Sequence, residues 1–235
     1  MIFTEDDYIR QLSIDCVIFG YKENELKVLV PKINFVDAIY TLPGGFIQQN
    51  ESIDHAALRV LKERTGIDDI YLEQFRTFGH ERRYNDEILK ALNEASKLLI
   101  DIANLDWFSK RFVSIGYYAL VDINKVQLRM GEIDESVSWY GVKDLPNMIM
   151  DHNEIVTYAL EALRQNLDQK LIGFNLLPET FTMREVQELY EAIYDKPFAR
   201  NNFQKKILDL NVLERLEKKF TGAANKAPYL YRFKK

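Results

Sequence analysis

The segment from Gly45 to Ile67, GFIQQNESIDHAALRVLKERTGI, constrains this 235-residue chain more than any other. Ala57, Leu58 and Leu61 recur at helical spacing, and Gly66 supplies a C-terminal stop, so a helix is predicted directly behind the Gly44-Gly45 pair. Glycine there permits a tight loop, because it has no Cβ to clash with whatever the backbone approaches. Arg59 and Glu63 stand one turn apart on the helix, the spacing of a structural ion pair.

Around this segment strands and helices alternate. LSIDCVIFGY, rich in β-branched and aromatic residues, and LKVLVPKI form a predicted hairpin through GYKENEL, and AIYTLP then runs into the glycines. YLEQFRTFG, FVSIGYYALV and SVSWYGV read as further strands, and DHNEIVTYALEALRQNL as a capped amphipathic helix. This mixture predicts one α/β domain over residues 1–168. A helical insertion is expected at about residues 83–108, where Ile88, Leu92, Ala95, Leu99 and Ile102 keep helical spacing.

The last quarter of the chain has a different order: helix, break, helix, hairpin. TMREVQELYEAIY places Met183, Val186, Leu189 and Ile193 at helical spacing, and Pro197 stops the helix. ARNNFQKKILDL is a second helix with Phe203, Ile207 and Leu210 expected to face inward. Two strand-like arms around a Gly-containing loop complete a predicted winged helix-turn-helix over residues 174–235. Charge follows the same division. From Lys196 to the end there are 11 Lys/Arg against 3 Asp/Glu, whereas the whole chain carries a net charge of −5. An acidic body with a basic end is the asymmetry of a nucleic-acid-binding module attached to another domain. Candidate DNA contacts are Arg200, Asn201, Asn202, Gln204, Lys205 and Lys206 on the second helix, with Lys218, Lys219 and Lys226 in the hairpin. These residue types reach base edges and phosphates in a major groove.

Several function classes are excluded or disfavoured by composition. Apolar residues make up 47% of the chain, but no apolar run approaches the ~18–20 residues of a membrane span. The acidic start MIFTEDDYIRQ lacks the pattern of a signal peptide, so a soluble, cytoplasmic protein is expected. Cys16 is the only cysteine, which rules out an intrachain disulfide or a cysteine-cluster zinc site. His55, His80 and His152 show no metal-ligating spacing, and no metal is expected on them.

The Gly45–Ile67 segment resembles the Nudix box, G-x5-E-x7-R-E-U-x-E-E-x-G-U with U apolar. Gly45, Glu51, Arg59, Leu61, Glu63, Gly66 and Ile67 fall on matching positions. Val60 and Arg64 stand where the box has glutamates that, with a third at Glu63, hold Mg²⁺ or Mn²⁺ in Nudix enzymes. A hard divalent ion wants several anionic oxygens, so this degenerate box implies no catalytic residues and no resident cofactor. Together with GFNLLPETFTMREVQELYEAIY, NNFQKKI and APYLYRF, it makes nearly the whole chain similar to the Nudix-related transcriptional regulators, the NrtR family.

That resemblance implies an α+β protein, with an N-terminal Nudix α/β/α sandwich on a mixed sheet and a C-terminal winged helix. It implies a homodimer on a palindromic DNA operator, controlled by a small effector that is a pentose such as arabinose or an ADP-ribose-like nucleotide; the long junction match and the box without its metal ligands look more like the sugar-utilisation branch. The expected effector site comprises Gly44, Gly45, Arg59, Glu63, Arg76 and Arg111. The alternative is a Nudix hydrolase of ADP-ribose or a related nucleoside diphosphate, which would require Mg²⁺.

Overall fold

The computed structural model describes residues 5–34, 38–68, 70–81, 83, 110–131, 134–170, 172–219 and 227–234. The expected helical insertion at about 83–108 lies outside the described residues apart from Arg83, and so does Lys226.

Among the described residues seven strands form one mixed sheet: β1 (Tyr8–Lys22), β2 (Glu25–Asn34), β3 (Ala38–Tyr40), β4 (Gly44–Gln48), β5 (Tyr71–Phe78), β6 (Val113–Val121) and β7 (Asp134–Gly141). β1 and β2 make the expected hairpin, turning at Glu23 and Asn24, which both take positive φ. β1 is central, running parallel to β6 and antiparallel to β2 and β4. β5 flanks β6, while β3 and β7 pair with β2.

Because strand side chains alternate between faces, β1 feeds two cores. Ile14, Cys16 and Ile18 point to one face, where α1 (Ile53–Thr65) buries Ala56, Ala57, Val60 and Leu61 against them. The helix begins at Ser52, whose side chain accepts from the His55 N–H, and ends at Gly66 in the left-handed conformation at φ 72°. Val17 and Phe19 point to the other face and pack with α2 (His152–Lys170) through Ile155, Val156, Ala159 and Leu163. A sheet covered on both faces by helices is the expected α/β/α sandwich.

On the α2 side the apolar cluster does not stop at the sheet. It continues through Phe174, Leu176 and Phe181 into α3 (Met183–Tyr194), α4 (Arg200–Asp209) and a second sheet of β8 (Phe181–Thr182), β10 (Tyr229–Phe233) and β9 (Leu213–Lys218), in that spatial order. Thr182 and Glu185 form a capping box at the start of α3. Val186, Leu189, Tyr190 and Ile193 are buried on its inner face, with Phe203 and Ile207 from α4. Leu210, expected to face inward, is 38% exposed, because α4 ends at Asp209 and the inward stripe runs out with the helix. Two helices and a β-hairpin therefore make the winged helix that the sequence predicts.

Candidate functional site

In the box region, the reason for the glycines differs from the one expected. Gly44 and Gly45 are not in a loop but within β4, paired with Asp15 and Ile14 of β1. A Cβ at Gly45 would lie 2.9 Å from a methyl of Val60, and one at Gly44 would lie 2.7 Å from the Ile14 carbonyl oxygen. Glycine is thus required by close approach of helix and strand rather than by turn geometry. Val60 fills this contact and is 2% exposed.

The charged residues of α1 are all engaged. Arg59 donates to both carboxylate oxygens of Glu51, at 3.1 and 2.7 Å, and to the Phe46 carbonyl at 2.9 Å. The expected pairing of Arg59 with Glu63 is present at 3.4 Å, but it is the weaker contact. The hydrogen bonds from Arg59 hold the Glu51 carboxyl below the usual carboxylate range, and Glu51 also accepts the backbone N–H of Gln48. Arg64 points elsewhere, to Asp134 at the start of β7, whose carboxylate also accepts the Gly131 N–H at 2.6 Å. Val60, Glu63 and Arg64 therefore have three different environments: one is buried, one largely exposed and one clamped to a neighbouring strand.

Of the other expected effector residues, Arg76 lies on β5 away from the box. Its guanidinium stacks 3.7 Å over the Tyr158 ring on α2, on the opposite face of the sheet from α1. Arg111 is exposed, with Phe112 between it and β6. The structure thus brings Gly45, Glu51, Arg59 and Glu63 together, and leaves Arg76 on the α2 side.

In the winged helix, Asn201, Asn202 and Lys205 are exposed on the side of α4 opposite Phe203 and Ile207. Arg200, Gln204 and Lys206 flank them, Gln204 half-buried. The segment between α3 and α4 is fixed by α3 itself: the Phe198 N–H donates to Glu191 at 2.8 Å, and Gln187 donates to the Phe198 carbonyl at 3.0 Å. Asp195 in the left-handed conformation ends α3, so α4 leaves at a defined angle with its polar face outward. In the hairpin, Lys218 packs on Tyr229, and Lys219 reaches back to Glu185 at 3.2 Å. Lys219 therefore also serves the capping box of α3.

A model of the NUDIX domain family matches residues 9–159. The chain belongs to the Nudix family. Residues 173–233 of this Nudix protein match the NrtR DNA-binding winged helix domain. A relative from Acinetobacter baylyi, an ADPR responsive transcriptional repressor, is 26% identical over 239 residues, covering 98% of this chain and 85% of its own length. An ADP-ribose pyrophosphatase from Methanocaldococcus jannaschii is 22% identical over 145 residues, covering 62% of this chain and 70% of its own. Among solved structures, Shewanella oneidensis NrtR complexed with a 27mer DNA superposes with a TM-score of 0.73 at 25% identity, covering 96% of this chain and 94% of that one. The chain therefore joins a Nudix domain to an NrtR-type DNA-binding winged helix.

The metal that the Nudix family implies does not fit the residues present at the box. Glu51 and Glu63 both engage Arg59, Val60 offers no oxygen, and Arg64 brings a cation. Among the described residues no three of His, Cys, Asp or Glu gather where they could hold a metal ion.

One polar cluster escaped the sequence reading. Asp15 of β1, Arg83, Ser114 of β6, and Asp151 and His152 at the start of α2 converge on the α2 side of the sheet. Arg83 is only 5% exposed, and donates to Asp15 at 2.6 Å and Asp151 at 2.9 Å. Burial works to raise the Asp15 carboxyl, but the field of Arg83 and the hydrogen bonds from Ser114 and Arg83 outweigh it and hold it low. The available signal was Asp15 itself, an acid inside the apolar strand LSIDCVIFGY.

Proposed function

We propose that this protein is an effector-responsive transcriptional repressor: the winged helix binds operator DNA, and the Nudix domain senses a small molecule that alters this binding. The observation that carries the reading is α4, which presents Arg200, Asn201, Asn202 and Lys205 to solvent on a scaffold held by buried Phe203 and Ile207. Such side chains, on a helix rigidly placed behind a fixed turn, suit a major groove.

ADP-ribose is the effector named for the Acinetobacter baylyi relative, and it is the one we assign first. A pentose such as arabinose is the second candidate. The Nudix domain binds without hydrolysing, because its box carboxylates are committed to Arg59 and the remaining positions are apolar or cationic. A homodimer on a palindromic operator follows from the need to place two recognition helices in successive major grooves. Effector binding that favours one dimer geometry over the other then changes operator affinity.

The test is binding of the purified protein to labelled DNA from upstream of its own operon, at fixed salt, against random competitor. ADP-ribose, arabinose and other pentoses are added in turn. Competitor-resistant binding by two chains per duplex, weakened by ADP-ribose, is the expected result. Binding no better than to random DNA, accompanied by Mg²⁺-dependent release of AMP from ADP-ribose, would establish the hydrolase instead.

A further inference from the structure

The buried cluster on the α2 side contains a hydrogen-bonding gap. The Leu42 N–H donates to His152 Nδ1 at 2.9 Å, so the neutral imidazole carries its proton on Nε2. Burial is the main cause that keeps this imidazole neutral, by pushing its pKa below the ordinary value. Nε2 is fully buried and has no hydrogen-bond partner among the described residues. The closest carboxylate oxygen is Asp15 Oδ1, 3.7 Å away, too far for a direct bond. Asp15 Oδ2 takes the hydrogen bonds from both Arg83 and Ser114, so neither of these is spent on Oδ1.

A donor and an acceptor held 3.7 Å apart match one hydroxyl group. An oxygen about 2.8 Å from each accepts from Nε2–H and donates its own proton to Oδ1. Arg83 and Asp151, the other members of the cluster, line an adjoining cleft of about 550 Å³, bordered also by Arg76, Thr77, His80 and Glu154. That volume far exceeds one water, and its charge pattern matters as well. Two carboxylates around a single buried guanidinium and a neutral imidazole repel an anion at this point and suit neutral groups that both donate and accept.

We propose that Asp15 and His152 form a hydroxyl-binding subsite, through which the protein holds a sugar whose remaining hydroxyls meet Arg83 and Asp151. The sugar is either a free pentose or the terminal ribose of ADP-ribose. The proposal rests on the reading of the Nudix domain as an effector domain, and it places the sugar across the sheet from the box helix.

Calorimetric titration of the full chain without DNA tests it, with L-arabinose, D-ribose, ADP-ribose and AMP as probes. Asp15→Asn and His152→Gln are compared with wild type, after thermal unfolding has shown that each variant folds. At least one sugar-bearing probe is expected to bind wild type and to lose tenfold or more in affinity in both variants. Loss confined to ADP-ribose, with AMP unchanged, identifies the terminal ribose; loss for a pentose identifies a free sugar. Nitrogen NMR of the wild-type imidazole needs no variant, and the bound sugar is expected to move the Nε2 resonance. Affinities within twofold of wild type in folded variants, an unmoved Nε2 resonance, or no binding by any probe would overturn the proposal, leaving a buried water only. Because DNA is absent from the titration, these results leave the regulator reading standing. Sugar binding at this subsite with operator affinity unchanged would instead sink the regulator reading alone.

Discussion

Arg164 on α2 donates through Nε to the carbonyl of Ile193 at 2.7 Å, and the neighbouring Tyr194 hydroxyl donates back to the Arg164 carbonyl at 3.0 Å. The last turn of α3 is thereby tied to the helix whose first residues hold Arg83 and whose middle carries Tyr158 under Arg76. The connection to α4 begins one residue after Tyr194. Arg164→Ala removes the charged donor and leaves the Ile193 carbonyl unpaired. We expect a loss of about 1–2 kcal/mol in stability, read from denaturant unfolding, and a weakened response of DNA affinity to effector with effector affinity itself retained. An unchanged response in a variant destabilised by that amount would show that the tie is structural only.

Restoring the box residue by Val60→Glu places a carboxyl in the space between Ala56, Leu61 and Gly45. Val60 is fully packed, so the variant is expected to lose about 2–3 kcal/mol, visible as a lower unfolding temperature. No Mg²⁺-dependent release of AMP is expected from it, since Arg64 remains. Turnover appearing in the single variant would contradict the commitment of Glu51 and Glu63 to Arg59.

The DNA half gives a prediction with two signs. If α4 is the reading helix, Arg200→Ala and Gln204→Ala are each expected to cost about 1–3 kcal/mol on the operator and little on random DNA, as loss of a base contact would. Lys218→Ala is expected to weaken binding to all sequences alike and to flatten its salt dependence. Filter binding at several salt concentrations separates the two. Equal losses on both DNAs for all three variants would remove α4 as the reading helix.

His152 sets a pH dependence. Its folded pKa lies below the ordinary histidine value of 6.5, burial being the main cause, with Arg83 adding to it and Asp15 and Asp151 opposing. Above about pH 6.5 the group is neutral in both folded and unfolded chains and costs nothing. As pH falls below that, the unfolded chain takes up a proton that the folded chain resists, so stability declines toward the lower folded value. The unfolding temperature is expected to drop between pH 7.5 and 5.5, and to drop less in His152→Gln. Parallel curves would place the titrating group elsewhere.

Much of the architecture was legible because it is local. The alternation in LSIDCVIFGY, the helical spacing behind Gly45 and the stop at Pro197 each act within a few residues, and the strands and helices fall where these patterns put them. The separation of a basic, two-helix end from an acidic body was equally readable from charge. The box positions could be aligned from sequence alone, including the substitutions at Val60 and Arg64.

What only the tertiary structure decided is which of these side chains meet. Arg64 and Val60 are four residues apart on one helix, yet one pairs with Asp134 and the other is sealed against Gly45, because β7 and β4 arrive from distant parts of the chain. Asp15, Arg83 and Asp151 are separated by 68 residues at each step and carry no shared motif. They meet because β1 is central in the sheet and α2 begins beside it, so charges that look solvated in sequence are drawn out of water together. A local pattern fixes a local conformation; the pairing of buried charges depends on sheet order, and that belongs to the whole fold.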